Sequence, residues 1–178
     1  MRTGVRLGID VGKARIGVAR CDVHGMLATP LETVPRDEAA SSDIARILDL
    51  ATEYDAAELV FGLPLNMRGE RTPSTEDAVR FATQVATVLH TTGRDGSVTV
   101  RLVDERLSTV SAQGLLRQVG RTTKQSRQII DQAAAVVILQ HALDSERTQG
   151  RAPGSTIEPG SGTTEHTEEH AGDGGVHG

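Results

Sequence analysis

Residues 5–21 have the sequence VRLGIDVGKARIGVARC. Two short runs rich in β-branched residues, 5–11 and 15–21, are separated only by Gly12, Lys13 and Ala14, a spacing that predicts a tight turn between two strands. A third run of this kind, 26–34 (MLATPLETV), follows after a four-residue loop. The sequence therefore predicts that the chain begins as a three-stranded antiparallel meander.

Strand-like and helical segments alternate after the meander. The continuous apolar run 57–63 (AELVFGL) is typical of a strand buried on both faces, and 97–105 (SVTVRLVDE) has the alternation of a fifth strand. Helices are predicted from their apolar spacing and N-caps over 37–54 (Asp37), from 72 (Thr72, with Pro at N1), from 108 (Ser108) and over 127–147 (Ser126). This order predicts an α/β fold with a five-stranded mixed sheet, the meander plus parallel strands, and helices on both faces.

The composition changes sharply near residue 149. Residues 149–178 are rich in Gly and acidic residues and nearly devoid of apolar ones, so they offer little surface to bury against the entropy of ordering. We predict one folded domain over 1–148 and a disordered acidic tail over 149–178. Most of the net charge of −5 lies in this tail. The folded part is nearly neutral, which neither supports nor excludes a nucleic-acid partner.

The cellular compartment of the protein is predicted from its cysteine content and from its lack of membrane-spanning or secretory segments. Cys21 is the only cysteine, which excludes an internal disulfide, a cysteine zinc cluster and a thioredoxin-type pair. No stretch approaches the ~18 apolar residues of a membrane span, and no secretory segment is recognisable at the N-terminus. We expect a cytoplasmic protein without membrane contact. A separate hypothesis is that Cys21 of two copies joins in an intermolecular disulfide.

Acidic residues occur at three places where a carboxylate is costly or well placed for chemistry. Asp10 lies in a central strand, Asp104 and Glu105 end the fifth strand, and Asp131 lies in a helix that is apolar on nearly every side. Each has a structural alternative. Asp10 could bind backbone in the following turn, the pair could form a solvated turn, and Asp131 could form a salt bridge with Arg127.

Taken together, the three positions predict a metal site. Carboxylates brought to one place repel one another unless they share cations. Oxygen ligands without His or Cys favour Mg²⁺ or Mn²⁺ over zinc. Two such ions can activate a water and stabilise the leaving oxygen in phosphodiester hydrolysis.

Four segments, in this order, resemble the signature segments of the YqgF/RuvX family: GIDVGKARIGVA (8–19), FGLPLNMRGE (61–70), DERLST (104–109) and DQAAAVVIL (131–139). The resemblance spans residues 5 to about 145. It implies an RNase H-like fold, Mg²⁺ or Mn²⁺ dependence and homodimerisation in some members. It also implies a nuclease that resolves Holliday junctions in DNA recombination and repair, or that trims the 5′ end of pre-16S rRNA in ribosome biogenesis.

The resemblance also implies roles for individual residues. Asp10, Glu105 and Asp131 would be the metal ligands and catalytic carboxylates. Asp104 is an alternative to Glu105, because neighbouring strand residues face opposite sides and the register decides between them; we favour Glu105. Contacts with nucleic acid are expected from cations in the same segments: Lys13, Arg15, Arg68, Arg71 and Arg106. A second basic set flanks the last helix: Arg117, Arg121, Lys124 and Arg127.

Two other functional classes fit parts of the sequence. An actin/hexokinase-type phosphotransferase also places a D-x-G after its first strand, but that fold needs two such domains around a nucleotide. A non-catalytic adaptor in ribosomal RNA processing could keep the fold and use the carboxylates structurally. Aromatic residues are almost absent, so a base-stacking platform is not expected and recognition of duplex or branched substrates is favoured.

Overall fold

A computed structural model describes residues 1–106 and 124–159 of this protein. The elements, in chain order, are β1 (Val5–Val11), β2 (Arg15–Cys21), β3 (Ala28–Pro35), α1 (Ser42–Glu53), β4 (Ala56–Leu63), α2 (Pro73–Thr91), β5 (Thr99–Asp104), α3 (Lys124–Gln149) and β6 (Ser155–Thr156). The helix predicted from Ser108 lies outside the described residues.

The strands form one mixed sheet in the order β3-β2-β1-β4-β5-β6. Strands β1, β2 and β3 pair antiparallel as the predicted meander, whereas β4 and β5 run parallel to β1. Strand β1 is therefore central, as the sequence predicted. The sheet has six strands rather than the predicted five, because β6 pairs antiparallel with β5 at Arg101 and Leu102.

Helices cover both faces of the sheet, which confirms the predicted α/β architecture. Helix α3 packs over β1 to β4, while α1 and α2 pack against the opposite face. The larger apolar core lies between the sheet and α1 and α2, and it includes Leu7, Ile9 and Phe61. A smaller core beneath α3 includes Val60, Val103 and Ile138. Because Leu7 and Ile9 face α1 and α2, their strand neighbours face α3.

Several predicted boundaries are wrong by a few residues. Helix α1 begins at Ser42, one turn later than predicted, because the Asp37 carboxylate accepts hydrogen bonds from the backbone N–H groups of Ala40 and Ser42 and caps a preceding turn. Helix α3 begins at Lys124, so Ser126 lies inside it rather than at its N-cap. In α2 the prediction is confirmed: Thr72 caps the helix and Pro follows at N1.

Part of the segment predicted to be disordered belongs to the sheet. Besides β6, the backbone N–H of Ile157 donates to the carbonyl of Val100 at 2.9 Å, and the Ile157 side chain packs against the larger core. Arg101 also donates to the carbonyl of Pro153 at 3.1 Å. The predicted boundary at 148 is therefore too early, since these contacts reach residue 157. Residues 160–178 lie outside the described part of the chain.

The β6 contacts predict different effects for two truncations. A chain ending at Gln149 loses the edge pairing and the burial of Ile157. We expect its Tm to fall by about 4–8 °C, as follows from losing about 2 kcal/mol in a domain of this size. A chain ending at Pro159 keeps these contacts and is expected to melt like the full chain. Thermal unfolding of the three proteins tests this, and equal melting of both truncations would contradict it.

An ion-pair network joins the N-terminus, the sheet and α3 at the edge opposite the carboxyl ends of the parallel strands. Glu58 accepts hydrogen bonds from Arg2 at 3.0 and 3.2 Å and from Arg101 at 3.1 Å. Glu146 accepts from the Arg2 side chain at 2.9 and 3.0 Å and lies 3.6 Å from the Arg6 guanidinium. Arg6, Glu58 and Glu146 are each less than 5% exposed. Removing one of these charged side chains would therefore leave a buried partner uncompensated and destabilise the fold.

The environment of Cys21 disfavours the hypothesised intermolecular disulfide. Its side chain is 1% exposed, and the Sγ atom accepts a hydrogen bond from the backbone N–H of Arg6 at 3.2 Å. Burial raises the pKa of the thiol, which disfavours the reactive thiolate. A bond to a second chain would require this strand to open. Separately, none of the described helices has the length and apolarity needed to cross a membrane.

Candidate active site

Asp10 lies near the end of the central strand and faces α3. Its partner across the β1–β2 pair is Gly17, so no side chain covers the carboxylate from that neighbour. Asp10 is partly buried. Burial, and secondarily the negative charge of Asp131, raise the pKa of Asp10 to about 6. A carboxylate in this position is costly, which is the situation that the sequence predicted.

Helix α3 can approach the sheet closely because glycines lie beneath it. A methyl group at Gly17 would overlap the carbonyl oxygen of Asp131, and one at Gly8 would come within 2.8 Å of the carbonyl oxygen of Ala135. The backbone of α3 therefore rests directly on β1 and β2. This contact fixes the Cα of Asp131 close to the strand pair that carries Asp10.

The Asp131 side chain is held by Arg15. The Arg15 Nε donates to Asp131 Oδ2 at 2.8 Å, and the two side chains are 37% and 20% exposed. Arg15 begins β2 two residues before Gly17, so it lies on the same face of the sheet as Asp10. The side chain of Arg127, the alternative partner of Asp131, lies outside the described residues.

Glu105 lies directly after β5 on the face covered by α3. Val103, two residues earlier, packs in the core beneath α3, and Gly62 on β4 is its partner. Glu105 Oε2 lies 2.9 Å from the point where a Cβ on Gly62 would stand. Burial raises the pKa of Glu105 to about 7, with smaller contributions from the charges of Asp10 and Asp104. Glu105 and Asp10 therefore lie on the same face of the sheet, toward the carboxyl ends of β5 and β1, where the charge of Asp10 reaches Glu105.

Asp104 has a different environment from Glu105. Its carboxylate accepts hydrogen bonds from the Arg106 backbone N–H at 2.9 Å and from the Arg106 guanidinium at 2.8 and 2.6 Å. These bonds, the guanidinium first, lower the pKa of Asp104. An acid neutralised by its neighbour has less need of a further cation. The geometry therefore distinguishes the two adjacent acids and favours Glu105 as the one facing Asp10.

The predicted cations fall into two groups. Lys13 and Arg68 are exposed at the tips of their loops. The others are bound to carboxylates: Arg15 to Asp131, Arg71 to Glu76 at 2.6 Å, and Arg106 to Asp104. Of the second basic set, Arg117 and Arg121 and the side chains of Lys124 and Arg127 lie outside the described residues.

Arg36 is a supporting residue that the sequence did not indicate. It follows β3, and its Nη1 donates to the carbonyl of Gly12 at 2.9 Å and to Asp77 at 2.8 Å. Its guanidinium also lies over the Phe81 ring, 5.2 Å from the centroid. Arg36 thereby ties the turn after Asp10 to α2. No motif marks it, because its partners come from distant parts of the chain.

The elevated pKa of Asp10 predicts a pH-dependent stability. A carboxyl group with a raised folded-state pKa binds its proton more tightly when folded, so its charge destabilises the fold as pH rises from about 4 to above 6. Without divalent cations, Asp10→Asn should melt about 2–4 °C above wild type at pH 7.5, the shift for about 1 kcal/mol. At pH 4 the two should melt alike. Lower melting of the variant at pH 7.5 would contradict the proposed repulsion.

The mixed sheet with helices on both faces is the fold of an RNase H-like α/β domain. Among solved structures, Thermus thermophilus RuvC in complex with a Holliday junction substrate superposes with a TM-score of 0.52 at 19% identity, covering 85% of this chain and 99% of that one. This similarity shows the shared fold.

The sequence comparisons give the family. The RuvX family profile, described as Holliday junction resolvase, matches residues 4–145. A protein of Clavibacter michiganensis subsp. michiganensis named "Putative pre-16S rRNA nuclease" is 57% identical over 157 residues, 88% of this chain and 93% of that protein. A protein of the same name from Leifsonia xyli is 52% identical, covering 89% and 97%. The chain belongs to the RuvX family and is a nuclease.

Proposed function

We propose that this protein is a divalent-metal-dependent endonuclease that hydrolyses phosphodiester bonds in structured nucleic acid, with Asp10, Glu105 and Asp131 as its catalytic carboxylates. The observation that supports this most strongly is the placement of Asp10 and Glu105 on one face, toward the carboxyl end of the sheet, with the charge of one acting on the other. Two acids from different strands are partly buried there, and the charge of Asp10 contributes to the raised pKa of Glu105. Their mutual repulsion is a cost that a shared cation would remove.

The donor set fits Mg²⁺ or Mn²⁺. All three candidate ligands are carboxylates, the donors that these hard cations prefer. In the conformation described, no group of three or more His, Cys, Asp or Glu side chains among residues 1–106 and 128–159 is close enough to hold a metal ion. Asp10 and Glu105 would hold the cation first, and Asp131 would complete the set from α3. Bound cations would supply a nucleophilic water and stabilise the leaving oxygen.

The protein's own residues would bind and orient the substrate. Lys13 follows Asp10 in the turn between β1 and β2, and Arg68 lies in the loop after β4. Both side chains are exposed and available for phosphate contacts. Arg106 lies against the loop that carries Arg68, since its Nη1 is 2.6 Å from the point where a Cβ on Gly69 would stand. Arg71 and Arg106 would contact phosphate as members of ion pairs, which keeps their side chains in place.

The names of the relatives favour precursor 16S rRNA as the natural substrate, since the proteins with 57% and 52% identity carry it in their names. The family description names the Holliday junction as the other candidate. Either substrate supports the expectation of a cytoplasmic protein. A homodimer, which the family resemblance implies for some members, stays a prediction that light scattering of the purified protein would test.

A single assay tests the proposal. Four-way junction DNA and a precursor 16S rRNA fragment are incubated side by side with wild type and with Asp10→Asn, in Mg²⁺, in Mn²⁺ and in EDTA. We expect cleavage of at least one substrate by wild type that requires the metal and is lost in Asp10→Asn. The preferred substrate identifies the pathway.

Two outcomes would point to the other functional classes. Tight ATP binding or ATP hydrolysis without nucleic-acid cleavage would favour a phosphotransferase. Binding of the rRNA fragment without cleavage, equal in wild type and Asp10→Asn, would favour a non-catalytic adaptor. Either result would contradict the proposed nuclease mechanism.

A further inference from the structure

The ion pair between Arg15 and Asp131 places a cation of the protein on a candidate metal ligand. The Arg15 Nε lies 2.8 Å from Asp131 Oδ2, a distance typical of a strong charge-assisted hydrogen bond. An arginine cannot lose its proton near neutral pH, so it stays a competitor for any other cation at this carboxylate.

The backbone around this pair is fixed, so only the side chains can exchange partners. The carbonyl of Asp131 presses on Gly17, which sets the position of α3 over β2. Arg15 begins the same strand, and its own carbonyl accepts a hydrogen bond from the N–H of Gly12 at 2.9 Å. Both ends of the ion pair therefore stand on rigid elements. A change of partner for Asp131 requires rotation of its side chain and does not require movement of α3.

We infer that Arg15 is a positioning residue whose guanidinium neutralises and orients the Asp131 carboxylate. A divalent metal must displace this guanidinium before Asp131 can act as a ligand. This inference rests on the proposed function, because it assumes a metal at the carboxylates. The free energy of breaking the ion pair therefore weakens metal binding. Removing Arg15 should therefore tighten metal binding, although it removes a residue of the site.

Matched variants separate the effect of the Arg15–Asp131 ion pair on metal binding from general effects of charge. Arg15→Gln removes the charge, and Arg15→Lys keeps a cation at the same place. Lys13→Gln removes an exposed positive charge two residues away, for which no ion pair occurs within the described residues. Arg46→Gln breaks a pair of similar exposure, Arg46 with Glu32 at 2.7 Å, between α1 and β3. Asp10→Asn tests the metal site itself.

The measurement is the affinity of each full-length protein for Mn²⁺ without nucleic acid, from the electron paramagnetic resonance signal of unbound Mn²⁺. We expect Arg15→Gln to bind about three- to tenfold more tightly than wild type, as for the loss of a competing half-buried ion pair. Arg15→Lys should stay within about twofold because it keeps a competing cation beside Asp131. Lys13→Gln and Arg46→Gln should also stay within about twofold, because exposed charges outside the ion pair are screened at physiological salt. Asp10→Asn should bind far more weakly.

The outcomes distinguish this inference from the proposed function. If Arg15→Gln binds Mn²⁺ no more tightly than wild type while Asp10→Asn loses binding, the site exists and Arg15 does not compete for it. Equal tightening by Lys13→Gln would also overturn the inference, since a general charge effect would explain it. If wild type and Asp10→Asn bind Mn²⁺ equally, or neither binds, the proposed metal site fails and the role of Arg15 fails with it. Thermal melting of each variant confirms that the proteins compared are folded.

Discussion

Asp10→Asn, Glu105→Gln and Asp131→Asn are each expected to lower metal-dependent cleavage by about 10²-fold or more, as seen when one catalytic electrostatic group is removed. Each substitution removes a negative charge from the proposed metal site and nearly preserves the side-chain shape. Rates under single-turnover conditions with saturating Mn²⁺ would measure the effect. Without metal, Asp10→Asn and Glu105→Gln should melt no lower than wild type, because they relieve repulsion between partly buried acids.

Asp104→Asn is the matched control for Glu105→Gln. The two acids are neighbours, but Asp104 is bound by Arg106 whereas the pKa of Glu105 is raised partly by Asp10. We therefore expect Asp104→Asn to reduce cleavage clearly less than Glu105→Gln. The reverse order would transfer the ligand role to Asp104. Unchanged cleavage in all three principal variants would eliminate the proposed site.

Glu146→Gln is expected to destabilise the fold by about 3–5 kcal/mol, the usual cost of removing one partner of a buried ion pair. Arg6 is buried and would lose its 3.6 Å ion pair, while its Nη1 already lacks a hydrogen-bond partner in the described structure. The loss corresponds to a fall in Tm on the order of 10 °C. Urea unfolding at pH 7 would measure it. Glu76→Gln breaks the exposed pair with Arg71 and should change the midpoint little.

The contribution of Glu146 to stability should also depend on pH, and the lowered pKa of this residue gives the direction. The hydrogen bond from the Arg2 side chain, followed by smaller contributions, lowers the pKa of Glu146 to about 2. A depressed carboxyl pKa stabilises the fold above the unfolded-state value and loses that contribution as pH falls through the folded-state value. Wild type should therefore lose stability faster than Glu146→Gln between about pH 4.5 and 2. If the unfolding free energies of the two proteins changed in parallel with pH, the lowered pKa of Glu146 would be contradicted.

The sequence predicted the elements whose signals are local. The bounds of β1 and β2 are as predicted, because β-branched runs and a glycine turn specify a hairpin without help from distant residues. The Thr72 cap and the following Pro are equally local and begin α2 where expected. The helix after Asp37 was placed one turn early, since an N-cap residue can also close the turn before a helix.

What the sequence could not predict depends on contacts between distant residues. Strand β6 has two residues and no apolar alternation, so only its pairing with β5 makes it a strand. Arg15 and Asp131 are 116 positions apart, and the sequence suggested Arg127 as the structural partner of Asp131 because that residue is near in the helix. The choice of Glu105 over Asp104 as a ligand stays a prediction. The hydrogen bonds between Asp104 and Arg106 support it, as does the effect of the Asp10 charge on Glu105.

The absence of side chains at Gly8 and Gly17 has a consequence for how this enzyme can lose its activity. Even alanine at Gly17 would push the carbonyl of Asp131 outwards, and the whole segment of helix would move with it. The candidate acids would then be intact in chemical type, but Asp131 would lie farther from Asp10. Inactivating substitutions are therefore expected at positions that bear no reactive group. A survey that considers only charged residues would miss the glycines that set the spacing of the proposed ligands.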